Sequence, residues 1–298
     1  MTRFTSRAIV LACLFIVAAC SSTATRVGST TLKVTAWNIE HLAAADASGC
    51  RARSEADYAA LRAHVSRLDA DVIAFAEVEN RAAAERVFDP ARYAIVMSSR
   101  PDSGRSGFCG RDATDGPTIR KQDVGFAVRK GIQFTRNADL LELGLGNPDL
   151  RWGVDITVLE PAPVRLLSLH LKSGCSRGSS NPACPVLFDQ VPVLQDWIAA
   201  RAREDVPFVL LGDWNRRLAL ADDEVWRRLN EGNANLVEAS AGRPATCIAR
   251  YPEYIDLIVL DPRAAARMRP GSFEEFAYGV AEADYPSDHC PVSVTFDH

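Results

Sequence analysis

The sequence predicts an α/β fold, read as one domain with strands and helices intermixed along the chain. Short runs rich in Val, Ile, Leu and Phe, such as Phe208-Val209-Leu210-Leu211, alternate with segments whose apolar residues recur at helical spacing. No repeat, low-complexity linker or composition shift divides residues 30 to 298. Hydrophobic residues fill 47% of 298 positions and charged residues 24%, an ordinary balance for a chain with a sizeable core.

The N-terminus departs from that average. Arg3 and Arg7 precede an apolar run, Ala8 to Ala19, which is too short to span a bilayer and has the proportions of a secretory signal. Val17-Ala18-Ala19-Cys20 resembles a bacterial lipobox, in which Cys20 becomes the lipidated first residue of the mature protein. An ordinary cleaved signal with an incidental cysteine is the alternative. Residues 20–30, polar and rich in Ser and Thr, read as a tether. Ser21 resembles the sorting context for the outer membrane. The expectation is therefore a signal peptide over 1–19, a tether over 20–30 and a folded domain over 31–298. The protein would be exported and lipid-anchored in the bacterial cell envelope, at the outer membrane.

Within the domain, Thr31 to Trp37 alternates as a strand and ends at Asn38-Ile39-Glu40-His41. Ser54 to Leu68 reads as an amphipathic helix, with Ser54 and Asp57 near its start and Leu61, Val65 and Leu68 on one stripe. Asp71 to Ala76 reads as a buried strand that ends at Glu77. Residues 98 to 122, rich in Gly, Ser, Pro and Arg, form a long surface loop, expected to be tied down through Cys109. Val124 to Val128, Gly153 to Leu159 and Val164 to Leu171 read as strands, the last carrying His170. Leu187 to Arg203 has helical spacing, with Pro192 either delaying its start or kinking it. Phe208 to Leu211, Tyr254 to Leu260 and Val292 to Phe296 complete the strands.

Setting aside Cys13 in the signal and Cys20, six cysteines remain: Cys50, Cys109, Cys175, Cys184, Cys247 and Cys290. An even count in an exported chain favours disulfides, and the absence of any Cys-x-x-Cys pair argues against a zinc site. Cys175 and Cys184 bracket a Gly/Ser/Pro-rich stretch and are the leading pair. Cys50 with Cys109 and Cys247 with Cys290 follow only by remainder, out of about fifteen connectivities. The chain carries 34 Lys and Arg against 38 Asp and Glu, and loss of Arg3 and Arg7 takes the net charge from −4 to −6. That argues against a nucleic-acid-coating protein but not against a nuclease, because a metal ion and a basic rim can attract phosphate locally.

Polar side chains recur where strands end: Asn38 and Glu40, Glu77, His170, Asp213 and Asn215, Asp256, and Asp288 with His289. Each alone has a bland explanation as a turn or loop residue. Together they concentrate acids, amides and imidazoles at the strand ends, where ligands bind in α/β proteins. Asp213 and Asn215, two apart, point the same way. Crowded carboxylates raise one another's pKa unless a cation neutralises them, and a histidine held by a carboxylate is suited to a phosphate.

Six stretches resemble the endonuclease/exonuclease/phosphatase superfamily, the DNase-I-like hydrolases. They are Ala36-Trp37-Asn38-Ile39-Glu40, Ala76-Glu77, Leu169-His170-Leu171-Lys172-Ser173, Gly212-Asp213-Trp214-Asn215, Tyr254-Ile255-Asp256 and Ser287-Asp288-His289-Cys290-Pro291-Val292. They occur in the family's order from residue 36 to residue 292. The resemblance implies a four-layer α/β sandwich, with two mixed sheets packed face to face and helices outside. It also implies metal-dependent attack of water on a phosphate ester. Glu77 would be the principal Mg²⁺ (or Mn²⁺) ligand, with Glu40 beside it, Asn38 positioning the site, and Asp288 binding the metal directly or through water. Asp213 would orient or deprotonate the attacking water, and Asn215 would hold that water or a phosphate oxygen. His289, oriented by Asp256, would handle a proton or stabilise the phosphate, and His170 would donate to a phosphate oxygen.

Two departures stand out. Gln122-Asp123 occupies the place where some relatives carry an acid before the Gly-Phe-Ala-Val strand, leaving Arg120 and Lys121 either as phosphate contacts or as solvated loop residues. No second cysteine follows Gly-Asp-Trp-Asn, so the disulfides need not follow those of secreted DNases. The leading expectation is a monomeric exported nuclease whose partner is nucleic acid, with Lys172, Arg177, Arg216 and Arg217 near the site loops. A phosphoesterase for lipid head groups or inositol phosphates is the alternative, although no exposed aromatic hairpin for a bilayer is evident. A non-catalytic adhesion lipoprotein would have no need of both the metal carboxylates and the Asp-His pair.

Overall fold

Successive residues of the first strand enter different cores, and that division sets the layers. The computed structural model describes residues 30–104, 107–110 and 112–297. The signal, Cys20 and most of the tether lie outside the described residues. In β1 (Thr31–Leu42), Leu32, Val34 and Ala36 join one apolar cluster while Trp37 and Ile39 join another. In β2 (Val72–Val78), Val72, Ala74 and Ala76 separate from Ile73 and Phe75 in the same way. The first cluster lies between two sheets. The second lies under α1 (Glu55–Leu68) and α2 (Arg81–Val87).

The first sheet adds β3 (Tyr93–Met97), β4 (Asp123–Arg129), β11 (Glu274–Glu275) and β12 (Val292–Asp297), in the order β11-β12-β1-β2-β4-β3. The second holds β5 (Phe134–Arg136), β6 (Val154–Val158), β7 (Val164–His170), β8 (Phe208–Asp213), β9 (Val237–Glu238) and β10 (Asp256–Leu260), in the order β5-β6-β7-β8-β10-β9. Each sheet has one parallel pair at its centre, β1 with β2 and β7 with β8, and antiparallel neighbours outside it. Two mixed sheets packed face to face with helices outside bear out the expected α/β sandwich. Helix α3 (Cys184–Arg201) covers the second sheet through Leu187, Val191, Leu194 and Ile198, while α4 (Glu224–Leu229) and α5 (Pro262–Arg267) are single short helices.

Local chemistry explains the helix ends. Ser54 and Asp57 form a capping box on α1, and Asn80, Asp223 and Asp261 each cap the helix that follows. α3 departs from expectation: it begins at Cys184 rather than Leu187 and runs through Pro192. Pro185 sits in the first turn, where a missing N–H costs nothing, and the buried stripe holds the helix past the second proline. β1 also outruns its expected end at Trp37, continuing to Leu42 across a register shift between Asn38 and Leu42. Conversely, the expected strand from Tyr254 starts only at Asp256.

Cys175 pairs with Cys184, the leading pair, and the two pairs left by remainder also form, so that Cys50–Cys109, Cys175–Cys184 and Cys247–Cys290 have Cα–Cα distances of 5.3, 4.8 and 6.3 Å. In the 98–122 loop, an antiparallel bridge between Phe108 and Thr118 closes a small hairpin, on which Phe108 and Ile119 are each 37% exposed. Among the described residues, no helix is long and apolar enough to cross a membrane.

Candidate active site

The topology brings the polar strand ends together. In a parallel pair both strands finish at the same edge, and an antiparallel neighbour begins there. His170 ends β7 beside Asp213 at the end of β8, and Asp256, the first residue of β10, pairs with Asp213 from the other side. In the first sheet Asn38 lies beside Ala76, just before Glu77, and Ala36 pairs with Val292, placing Ser287-Asp288-His289 above the end of β1. Asp256 thus opens its strand and His289 precedes its own, instead of ending them.

Gly212 makes the β7–β8 approach possible. Its φ is +139°, and an added Cβ would lie 2.1 Å from the Leu169 carbonyl oxygen. Four site residues other than glycine also hold left-handed backbone: Glu40 (φ 47°), His41 (50°), Glu77 (59°) and Asn215 (51°). Non-glycine residues in that region cost energy and concentrate where a site needs them. The register shift in β1 aims Glu40 and His41.

Asn38 joins the two sheets. Its Nδ2 donates to Glu77 Oε1 at 3.2 Å and to Asp213 Oδ2 at 3.0 Å, while its Oδ1 accepts from the Glu40 amide at 2.9 Å. Glu77 Oε2 accepts from the His41 amide at 3.0 Å and lies 3.7 Å from His41 Nε2. Burial pushes the Glu77 carboxyl upward, but the facing His41 and His289 imidazoles and the bonds from Asn38 and His41 outweigh it, and its pKa is lowered. Glu40 is raised, first by burial and then by repulsion from Asp288, whose amide donates to Glu40 Oε2 at 3.0 Å.

Across this floor, His289 Nδ1 hydrogen-bonds Asp256 Oδ2 at 2.5 Å, and its Nε2 lies 4.0 Å from Asp213 Oδ2 and 3.7 Å from Asp288 Oδ1. Burial alone would lower the imidazole, but the Asp256 carboxylate and its hydrogen bond hold it well above the ordinary value. Asp213 is pushed up to about 7, by burial first and then by Asp256, and Asp256 itself is raised by burial. His170 goes the other way. Burial, then the Arg151 charge, lowers it well below the ordinary value, and its Nε2 lies 3.4 Å from Asp213 Oδ2. Asn215 donates its amide to Asp213 Oδ1 and its side chain to the Leu171 carbonyl.

The structure therefore gathers Asn38, Glu40, Glu77, His170, Asp213, Asn215, Asp256 and His289, with Asp288 at the solvent rim. The Ser of Ser-Asp-His has a structural role: the buried Ser287 hydroxyl donates to the Asn38 carbonyl at 2.8 Å and accepts from the His289 amide at 3.2 Å. Tyr278 accepts from Trp37 Nε1 and donates to the His289 carbonyl, supporting the loop from below.

Three residues here were missed in the sequence. His41 touches Glu77, and adjacency to Glu40 was its available signal. The Arg53 guanidinium, buried, donates to Ile39, His41 and Pro286 carbonyls, tying β1 to the His289 loop. Arg151 donates to the Leu171 carbonyl, and its charge bears on Glu77 and Asp213. Other expected cations are taken: Arg120 pairs with Glu79, Lys121 with Asp123, and Arg216 is buried against Asp223 and the Cys175 and Gly178 carbonyls. Gln122 contacts His41 Nδ1 at 3.2 Å.

Two groupings could receive a cation. Glu77, Glu40 and Asn38 offer hard oxygen ligands, and Glu40 is raised by burial first and then by the Asp288 carboxylate. Asp213, Asp256 and His289 also bring three ligand atoms within 4.8 Å, but the short Asp256–His289 bond already occupies two of them. The donor set fits a divalent cation better at the first.

A model of the Endonuclease/Exonuclease/phosphatase family matches residues 35–289. No curated protein matches the chain by sequence. Among solved structures, truncated TDP2 from Caenorhabditis elegans is 16% identical with a TM-score of 0.63, the match covering 90% of this chain and 98% of that one. The human Nocturnin catalytic domain with bound sulfate is 16% identical with a TM-score of 0.57, covering 90% and 94%. The AP endonuclease LMAP from Leishmania major is 15% identical with a TM-score of 0.57, covering 90% and 88%.

Proposed function

The chain belongs to the Endonuclease/Exonuclease/phosphatase family and is a phosphoester-hydrolysing enzyme, and on that premise we propose that it is an exported, divalent-metal-dependent nuclease. The observation that carries the chemistry is the line Asp256–His289–Asp213, facing Glu77 across Asn38. A Mg²⁺ or Mn²⁺ ion held by Glu77 and Glu40, with Asn38 alongside and Asp288 acting through water, would supply positive charge to the scissile phosphate and leaving oxygen. Asp213, titrating near neutrality, takes the proton of the attacking water, and Asn215 holds that water or a phosphate oxygen. His289, whose pKa the Asp256 carboxylate holds high, neutralises charge on the phosphate, and His170 donates to another of its oxygens.

The nucleic-acid reading is supported by Lys172 and Arg217, each two residues beyond a site residue, His170 and Asn215, and by Arg177 beside Ser176, whose carbonyl the Arg217 amide bonds. It also agrees with neighbours whose names include an AP endonuclease. Export with a lipid anchor at Cys20, and action as a monomer at the outer membrane, complete the proposal. Incubating the mature protein with plasmid DNA and with RNA in Mg²⁺ should give cleavage lost in Glu77→Gln and His289→Ala. Nucleic acid left intact by the wild type would defeat it.

A second reading, hydrolysis of lipid head groups or inositol phosphates, is favoured by one observation, the exposed Phe108 and Ile119 on a hairpin fixed through Cys50–Cys109. Release of head group or phosphate from such substrates, with nucleic acid untouched, would select it.

A further inference from the structure

Beyond the reaction centre, one rim of the site combines an exposed aromatic ring with several guanidinium groups. Tyr251 is 45% exposed. The guanidinium carbons of Arg250 and Arg217 lie 4.9 and 5.5 Å from its ring centroid. Glu253 faces both Arg217, at 3.3 Å, and Arg177, at 4.0 Å, so two guanidiniums divide one carboxylate and Arg250 adds a further positive charge. This local excess stands on a chain of net charge −4.

The patch adjoins the chemistry. Arg217 follows Asn215 by two residues, and its amide donates to the Ser176 carbonyl, fixing the loop that carries Arg177. Tyr251 precedes Asp256 on the segment pinned by the Trp214 amide, which donates to the Ile255 carbonyl at 2.8 Å. Arg217 is buried along most of its length, so its guanidinium is held in place beside the ring.

We propose that Tyr251, Arg217, Arg250 and Arg177 form a nucleotide subsite that stacks an unpaired base next to the scissile phosphate and grips the adjoining phosphates. It deepens the nuclease reading and rests on it. A lone ring flanked by cations suits single-stranded nucleic acid: an unpaired base has free faces, whereas duplex bases are covered by their neighbours. Arginine serves both tasks, pairing with phosphate and stacking on rings.

The test is fluorescence anisotropy of a labelled single-stranded oligonucleotide with the full mature protein in EDTA, where metal-dependent turnover is absent. Tyr251→Ala should weaken binding roughly tenfold and Tyr251→Phe should restore it, as expected for one stacked base. Arg177→Ala with Arg250→Ala should flatten the slope of log affinity against log salt by about 0.7 per cation removed. Binding unchanged in Tyr251→Ala would overturn the proposal. So would a duplex of the same sequence bound as tightly and with equal dependence on Tyr251. Failure of the nuclease reading looks different: no Mg²⁺-dependent cleavage of that oligonucleotide, while the Tyr251→Ala loss of binding persists and upholds the subsite.

Discussion

At the scale of single residues, the site is built from groups whose environments drive their titration apart. His289, half-buried, is raised and His170, buried, is lowered, although both lie within reach of Asp213, because only His289 has Asp256 against its ring. His289→Ala should lower kcat by about 10²–10⁴-fold, the usual worth of a positioned proton-handling group, with the thermal midpoint little changed. Steady-state kinetics beside circular dichroism checks it, and an active His289→Ala enzyme contradicts the assignment. Gly212→Ala should instead fail in stability, by roughly 3 kcal/mol or more, since both its backbone angle and the Leu169 carbonyl forbid a Cβ. Denaturant unfolding measures that loss. The residues legible in the sequence were those placed by strand ends: Asp213, His170 and Glu77. Arg53 and Arg151 were illegible because their partners are backbone carbonyls, of β1 and the His289 loop for Arg53 and of the residue after β7 for Arg151, which leave no pattern of residue types.

At the scale of elements, long buried runs announced themselves and short ones did not. β8 and β10 are continuous apolar runs, whereas β5, β9 and β11 are two or three residues long and owe their existence to a neighbouring strand. The extension of β1 past Trp37 was hidden for a related reason, because polar Asn38 and Glu40 read as a strand's end while pairing with β2 carries the backbone onward. Ser287 links that extension to the His289 loop. Ser287→Ala leaves the Asn38 carbonyl and the His289 amide without this partner, and should cost about 1–3 kcal/mol of stability together with a fall in kcat. The Cys175–Cys184 bridge closes the loop that Arg216 pins, and replacing both cysteines by serine should lower stability by about 2–3 kcal/mol in the chain-entropy model. Unfolding midpoints that do not move would contradict either account.

At the scale of the molecule, two sheets with matching central parallel pairs meet through Asn38, and the reaction centre belongs to neither alone. The outer core carries its own pH dependence. His64, packed among Trp37, Phe276 and Tyr278, is lowered to about 4, by burial first and then by Arg67. Its folded value lies below its unfolded value of about 6.5, so full stability is present above that pH and is lost as pH falls toward 4. The loss should be on the order of 2 kcal/mol. His64→Gln should flatten that part of the stability curve, and an unchanged curve would assign the acid sensitivity elsewhere. The most direct test of the site as a metal-dependent phosphoesterase is hydrolysis of bis(p-nitrophenyl) phosphate by the purified protein, with Mg²⁺ or Mn²⁺ and with EDTA. Turnover should require the cation and fall at least about 100-fold in both Glu77→Gln and His289→Ala. Turnover that survives EDTA, or that either variant retains, would contradict it.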